Sequence, residues 1–262
     1  MKVIFWNTKD IEDFDIILSI LEDENPHFLF LSEFKKLDIS SHYSDLFALN
    51  YNHLPNPGCN KIKIIKKVSL KNIELTIQHN DYSGIFFPTM NLNIISVHMP
   101  SQMHYEFDAL KYNILKFKQD FEKNIGNTDQ ENILIIGDFN VNPYESPMIN
   151  FDGLAATNTT KFKSNKSFRG YENFLYYNPT WKLYSKTHFP GTFRKPRPSN
   201  TSFDVLEHHF LDQVVLSKKL MKLIKNEDID IIHSTSKFNI FDFIKNKINY
   251  SDHLPIKYNF EI

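Results

Sequence analysis

Residues 133–143 read ILIIGDFNVNP. Four aliphatic residues, Ile133 to Ile136, run without a polar break, and a glycine, an acid, an aromatic and an amide follow at once. A short continuous apolar run of this kind reads as a strand buried on both faces. Asp138 and Asn140 stand at its C-terminal end. Such residues are ordinary turn formers, because their side chains bond nearby backbone. They are equally what a site mounted on a rigid strand end would use.

The same arrangement recurs along the chain. Asn7 follows KVIFW (2–6), Glu33 follows FLFLS (28–32) and His98 follows NIISV (93–97). Two later runs reverse the order. Asp212 precedes VVL (214–216), and Ser251-Asp252-His253 precedes LPIKYNFEI (254–262), whose Leu254, Ile256, Tyr258, Phe260 and Ile262 alternate onto one face. If these two strands run antiparallel to the other four, all the polar groups meet at one edge of the β structure. Turn or cap formation accounts for any one position, and a lone His98 reads as a core histidine. Glu33 is harder to dismiss, since glutamate is a poor turn former, and six coincidences on one edge are less economical than one site.

Elsewhere, Phe107, Leu110, Ile114, Phe117 and Phe121 predict an amphipathic helix over about 104–123. Ile11, Phe14, Ile17, Leu18 and Leu21 predict a shorter one over 10–21, with an acidic first turn. IDII (229–232) predicts a further strand. Strands dominate, which argues against a purely parallel βαβ series. At 262 residues and 41% hydrophobic, the chain is long enough for a substantial core and is read as one α/β domain spanning 1–262. Residues 151–210, rich in Asn, Thr, Ser, Tyr and Pro, are read as a loop-rich insertion that recognises substrate.

The net charge of −1 supplies no global field toward nucleic acid or anionic membrane, so local basic stretches such as KIKIIKK (61–67) and FRKPRP (193–198) would have to do so. The bland reading of each is a solvated strand face or a loop. Cys59 is the single cysteine, which excludes an internal disulfide and a cysteine-based zinc cluster. The opening MKVIFW lacks a signal-peptide pattern, and no run is long enough to span a bilayer. A cytoplasmic location, without membrane insertion, is the expectation.

Clustered carboxylates stay charged together only beside a cation or hydrogen-bond donors. Carboxylate and amide oxygens suit a hard ion, Mg²⁺ or Mn²⁺, and such a set points to phosphate ester chemistry. There the metal would polarise a phosphoryl oxygen and a carboxylate would orient or deprotonate water.

The series WN (6–7), SE (32–33), VHMP (97–100), GDFN (137–140), LDQVVLS (211–217) and SDHLP (251–255) resembles the endonuclease/exonuclease/phosphatase superfamily, in the family's order. The resemblance implies a four-layer α/β/β/α sandwich, with two mixed sheets face to face and helices outside. It implies Glu33 as main metal ligand with Asn7 and Asp252 nearby, and Asp138 as the group that aligns or activates water. Asn140 would hold the phosphate and that water. His253 would contact the scissile phosphate, Asp212 would orient His253, and His98 would bind phosphate or assist the leaving group. Two positions depart from the repair branch. Lys9 stands where that branch has an acid, and His209 where abasic-site enzymes place a tryptophan. The Cys-Asp-Arg signature of inositol 5-phosphatases is missing.

Residues 168–198 interleave aromatics with Arg169, Lys182, Lys186, Arg194, Lys195 and Arg197. Aromatics stack on bases and cations hold phosphates, so Arg169, Asn178, Trp181 and Arg194 are the candidate substrate contacts. The alternative is that Tyr176, Tyr177 and Trp181 plug the core. The expectation is a Mg²⁺- or Mn²⁺-dependent endo- or exonuclease acting on DNA or RNA. Its alternatives are a phosphatase or phosphodiesterase on a small or lipid phosphate, of the inositol phosphate or sphingomyelin type, and an inactive nucleic-acid-binding module.

Overall fold

A computed structural model describes residues 1–101, 107–126, 131–168, 170–186, 191–194 and 206–262. Its strands are β1 (Lys2–Asn7), β2 (Phe28–Ser32), β3 (Tyr51–Leu54), β4 (Ile62–Lys67), β5 (Glu74–His79), β6 (Tyr82–Phe87), β7 (Leu92–His98), β8 (Asn132–Asp138), β9 (Ala156–Thr157), β10 (Asn165–Phe168) and β11 (Tyr171–Phe174). The later strands are β12 (Tyr176–Tyr177), β13 (Phe193–Arg194), β14 (His208–His209), β15 (Asp212–Ser217), β16 (Asn226–Ile231), β17 (Phe241–Asp242), β18 (Lys247–Ile248) and β19 (Ile256–Glu261). The helices are α1 (Asp15–Glu24), α2 (Tyr43–Ala48), α3 (Phe107–Ile125), α4 (Ser146–Ile149) and α5 (Lys218–Leu223).

Two mixed sheets carry the architecture, in the orders β16-β19-β1-β2-β4-β3 and β5-β6-β7-β8-β15-β12-β9. β1 runs parallel to β2 and β7 parallel to β8, whereas β19 is antiparallel to β1 and β15 antiparallel to β8. These are the directions that bring the polar ends together. The result is the expected four-layer α/β sandwich.

The opening stretch shows how sequence makes these layers. Successive side chains of a strand point to opposite faces. Leu134 and Ile136 of β8 join the core between the sheets, together with Phe5, Phe30 and Ile64 of the first sheet. Ile133 and Ile135 join a second core under α3, with Leu110, Ile114, Phe117 and Phe121. Burial on both sides explains the unbroken apolar run. By the same alternation Asp138 faces the side of Leu134 and Ile136, toward the other sheet. Gly137 falls on the opposite side, where a Cβ would sit 2.0 Å from the Val97 carbonyl oxygen. Only glycine fits that close approach.

α3 begins at Phe107 and ends at Ile125, close to the range predicted; residues 104–106 lie outside the described residues. α1 differs more. It begins at Asp15 rather than Asp10: Lys9 and Asp10 adopt left-handed backbone (φ 46° and 56°) that no right-handed helix can include, and Asp13 Oδ1 accepts the Asp15 N–H at 2.9 Å where the helix starts. Its buried face is Ile16, Ile17, Ile20 and Leu21, with Leu18 only half-buried. The basic stretch 61–67 is structural. It forms β4 between β2 and β3, with Lys66 buried and its ammonium donating to the Leu70 carbonyl at 2.8 Å. Among the described residues no helix is long and apolar enough to cross a membrane.

Candidate active site

Strand register places the polar residues. Asn7 ends β1 opposite Ser32, and Glu33 follows immediately. His98 ends β7 opposite Asp138, and Asp212 starts β15 opposite Asp138 on its other side. Asp138 is therefore flanked by both, while the facing sheet brings Asn7 to it: the Asn7 amide donates to Asp138 Oδ2 and to Glu33 Oε1, each at 3.1 Å. Left-handed backbone turns the chain sharply at Glu33 (φ 48°) and Asn140 (φ 54°). Such conformations are costly for residues other than glycine and concentrate at functional sites.

Asp138 is almost wholly buried, and its Oδ1 accepts the Asn140 backbone N–H at 2.8 Å. The Asn140 side-chain amide donates to the Met99 carbonyl at 2.7 Å. His98 Nε2 lies 3.2 Å from Glu33 Oε1 and 3.9 Å from Asp138 Oδ2, while its Nδ1 is buried without a partner among the described residues. The hydrogen bond from His98 holds the Glu33 carboxyl down to about 2, against burial; the Asn7 bond adds to it. His253 Nδ1 meets Asp212 Oδ2 at 2.8 Å, which leaves Nε2 directed toward Asp138 Oδ2 at 3.9 Å. Burial pulls the His253 imidazole toward neutrality, but the charges of Asp212 and Asp138 overcome it and raise its pKa to about 9.

The loop 251–253 is pinned to β1. Ser251 Oγ donates to the Asn7 carbonyl at 2.8 Å, and the Trp6 indole N–H donates to the His253 carbonyl at 3.0 Å. Asp252 is partly exposed and is ion-paired with the Lys9 ammonium. The structure thus gathers Asn7, Glu33, His98, Asp138, Asn140, Asp212, Asp252 and His253 at one end of the sandwich.

The four candidate substrate contacts fare differently. Arg194 adjoins the cluster: its backbone N–H donates to the Asp252 carbonyl at 3.0 Å, and its guanidinium lies 3.6 Å from Glu207. Asn178 does not join. It is fully buried, donates to Gln213 Oε1 at 2.8 Å and accepts from the Thr180 N–H at 3.0 Å, so both ends of its amide are spent inside the fold. Trp181 packs against Tyr184 with ring centroids 5.5 Å apart, and its indole N–H is buried. Arg169 lies outside the described residues.

Two neighbours escaped the sequence reading. Thr192 Oγ1 accepts the Asp212 N–H at 3.0 Å, and the Phe193 ring packs 4.8 Å from His253. The available signal was Gly191, where a Cβ would sit 2.3 Å from the His209 carbonyl oxygen. That close approach fixes the next two residues against the site.

The donor set fits a hard divalent ion. Asp138, Asp212 and His253 offer ligand atoms within 4.8 Å of one another. Asp212 and His253 are already hydrogen-bonded to each other and sealed, however, whereas Glu33 and Asp252 keep side-chain exposures of 37% and 23%. A hydrated ion reaches the latter pair more easily, and Mg²⁺ prefers a site that leaves room for water. Asp212 Oδ1, buried without a hydrogen-bond partner among the described residues, adds acceptor character to the cluster.

No protein-family model and no curated protein sequence matches the chain. Solved structures do. An AP endonuclease from Archaeoglobus fulgidus aligns at 14% identity and TM-score 0.61, covering all of both chains. Zebrafish (D. rerio) TDP2, complexed with single-strand DNA product, aligns at 15% identity and TM-score 0.60 over 100% of this chain and 99% of the other. The 3'-5' exonuclease NExo from Neisseria meningitidis aligns at 12% identity and TM-score 0.56 over the whole of both. These neighbours are members of the endonuclease/exonuclease/phosphatase superfamily, and the present chain has their fold.

Proposed function

We propose that the protein is a Mg²⁺- or Mn²⁺-dependent phosphoesterase that hydrolyses a phosphodiester by direct attack of water, and that its substrate is a nucleic acid. The observation that carries this reading is the convergence of Asn7, Glu33, His98, Asp138, Asn140, Asp212 and His253 from both sheets onto one point. The likeness of the fold to an AP endonuclease, to TDP2 with its DNA product and to a 3'-5' exonuclease supports DNA as the substrate class.

In this reading Glu33, Asn7 and Asp252 hold the divalent ion, which when bound supplies positive charge to a phosphoryl oxygen. The residues do the rest. Asp138 is fixed by Asn7 and by the Asn140 backbone, so its carboxylate is aimed and ready to orient water and accept its proton. Asn140 lies beside it to position water and phosphate. His253 is held protonated by Asp212 and presents Nε2 to the non-bridging oxygens, where negative charge builds in the transition state. His98 stands on the opposite flank of Asp138, bonded to Glu33, and serves the departing oxygen. The water oxygen bonds to phosphorus, the ester oxygen leaves, and the proton taken by Asp138 returns to the departing oxygen through the histidines.

The test is a substrate panel run with Mg²⁺ and with EDTA: duplex and single-stranded DNA, RNA, and inositol and lipid phosphates. Mg²⁺-dependent cleavage of a nucleic acid is the expected result. Turnover confined to soluble or lipid phosphates would replace the nuclease reading, and turnover unaffected by EDTA would end the metal reading.

A further inference from the structure

Among the described residues, Lys9 is the only lysine or arginine ion-paired with a carboxylate of the cluster. Its backbone is fixed, whereas its side chain is exposed. The Lys9 N–H donates to Asn7 Oδ1 at 3.2 Å, the Asp10 N–H donates to the Glu33 carbonyl at 2.6 Å, and the left-handed backbone at 9 and 10 locks this turn beside Glu33. The Lys9 side chain is nevertheless 53% exposed. Asp252 is the reverse case: its main chain is tied down by the Arg194 N–H, and the preceding Ser251 by the Asn7 carbonyl. An exposed ammonium therefore rests on a carboxylate whose backbone is tied down. An exposed pair of this kind is weak, about 0–1 kcal/mol, and lysine is a point charge on a flexible stem that re-aims at small cost.

An incoming phosphate meets Glu33, Asp138, Asp212 and Asp252, with His253 and Lys9 as the nearby cations. We propose that Lys9 couples substrate binding to metal binding. Its ammonium covers Asp252 in the free protein, transfers to the phosphate of an arriving ester, and so uncovers the Asp252 carboxylate for the divalent ion. The inference rests on the phosphoesterase reading above. Lysine and metal compete for one carboxylate, and phosphate removes the competitor. Phosphate and metal therefore strengthen each other's binding, by the same factor in each direction.

The experiment is Mn²⁺ titration by calorimetry, with and without a saturating deoxynucleoside 5′-monophosphate, on the wild type, Lys9→Met and Lys9→Arg. Methionine accepts the left-handed turn no worse than lysine, and circular dichroism checks that the fold is kept. Lys9→Met is expected to bind Mn²⁺ alone about 10-fold more tightly than the wild type and to lose most of the gain that the nucleotide confers. Lys9→Arg is expected to retain that gain. A role in holding the fold would not tighten metal binding. Unchanged or weaker Mn²⁺ binding by Lys9→Met overturns the coupling, as does a nucleotide gain equal to that of the wild type. If the wild type takes up no Mn²⁺ under either condition, the phosphoesterase reading itself fails and the inference goes with it.

Discussion

Two regions carry the polar and aromatic residues on which a function can be built, and they are made differently. At the end of β8, register alone sets His98, Asp138 and Asp212 side by side, and the facing sheet adds Asn7 and Glu33. In residues 170–186 position is set by what the edge of the sheet needs. β12 covers only Leu216 and Ser217 of β15. The rest of that edge is closed by the side chains of Asn178, which bonds Gln213, and Thr180, which accepts the Val214 N–H at 2.9 Å. Tyr176 and Tyr177 are buried, and Lys182 and Lys186 pair with Glu227 at 2.5 Å and Asp230 at 2.9 Å. The first region gathers its groups at one point; among its described residues, the second has spent most of its own on the fold.

That contrast predicts unequal sensitivity to mutation. The largest effect belongs to Glu33→Gln, which keeps shape and removes charge. Hydrolysis should fall by about 10³-fold or more while the melting temperature changes little. Full activity in this variant would remove Glu33 from the site.

Asp212→Asn comes next, acting through His253. The rate should drop about 10²-fold. The imidazole, whose pKa the charges of Asp212 and Asp138 raise to about 9, should titrate lower when followed by NMR in metal-free protein. The linkage has a definite sign. A histidine whose folded pKa lies above its unfolded value stabilises the fold fully below about 6.5, and that contribution disappears as pH rises through about 9. The metal-free wild type should therefore lose melting temperature between pH 6.5 and 9.5, and Asp212→Asn should lose less. Equal slopes would mean that Asp212 does not hold the proton on His253.

The smallest effect is expected in the second region. Lys182→Ala removes an exposed pair with Glu227 and should change kcat/KM by less than about 3-fold, with a stability loss within about 1 kcal/mol. A large fall in nucleic-acid affinity would show that this segment contacts substrate after all, and would narrow the contrast.

The same contrast explains what the sequence revealed. Strand runs such as KVIFW, FLFL and ILII, ending in Asn7, Glu33 and Asp138, disclose both the element and the direction of the site, since the period of a strand is local. A start at Asp10 is ruled out by a left-handed turn at Lys9 and Asp10, two residues with no glycine to announce it. Asn178 looked available because it stands in a polar, aromatic stretch. Its burial depends on Gln213, 35 residues away, which no local pattern reveals. The Lys9–Asp252 pair spans 243 residues and was invisible for the same reason.

The central claim is that a hard divalent ion sits at the outer, more accessible side of the cluster, on Glu33. Anomalous diffraction from crystals grown with Mn²⁺ tests it directly. The account predicts a manganese peak within about 2.0–2.3 Å of a Glu33 carboxylate oxygen, with Asp252 adjacent. A peak enclosed by Asp138, Asp212 and His253 without Glu33, or no peak at this end of the sandwich, would contradict it.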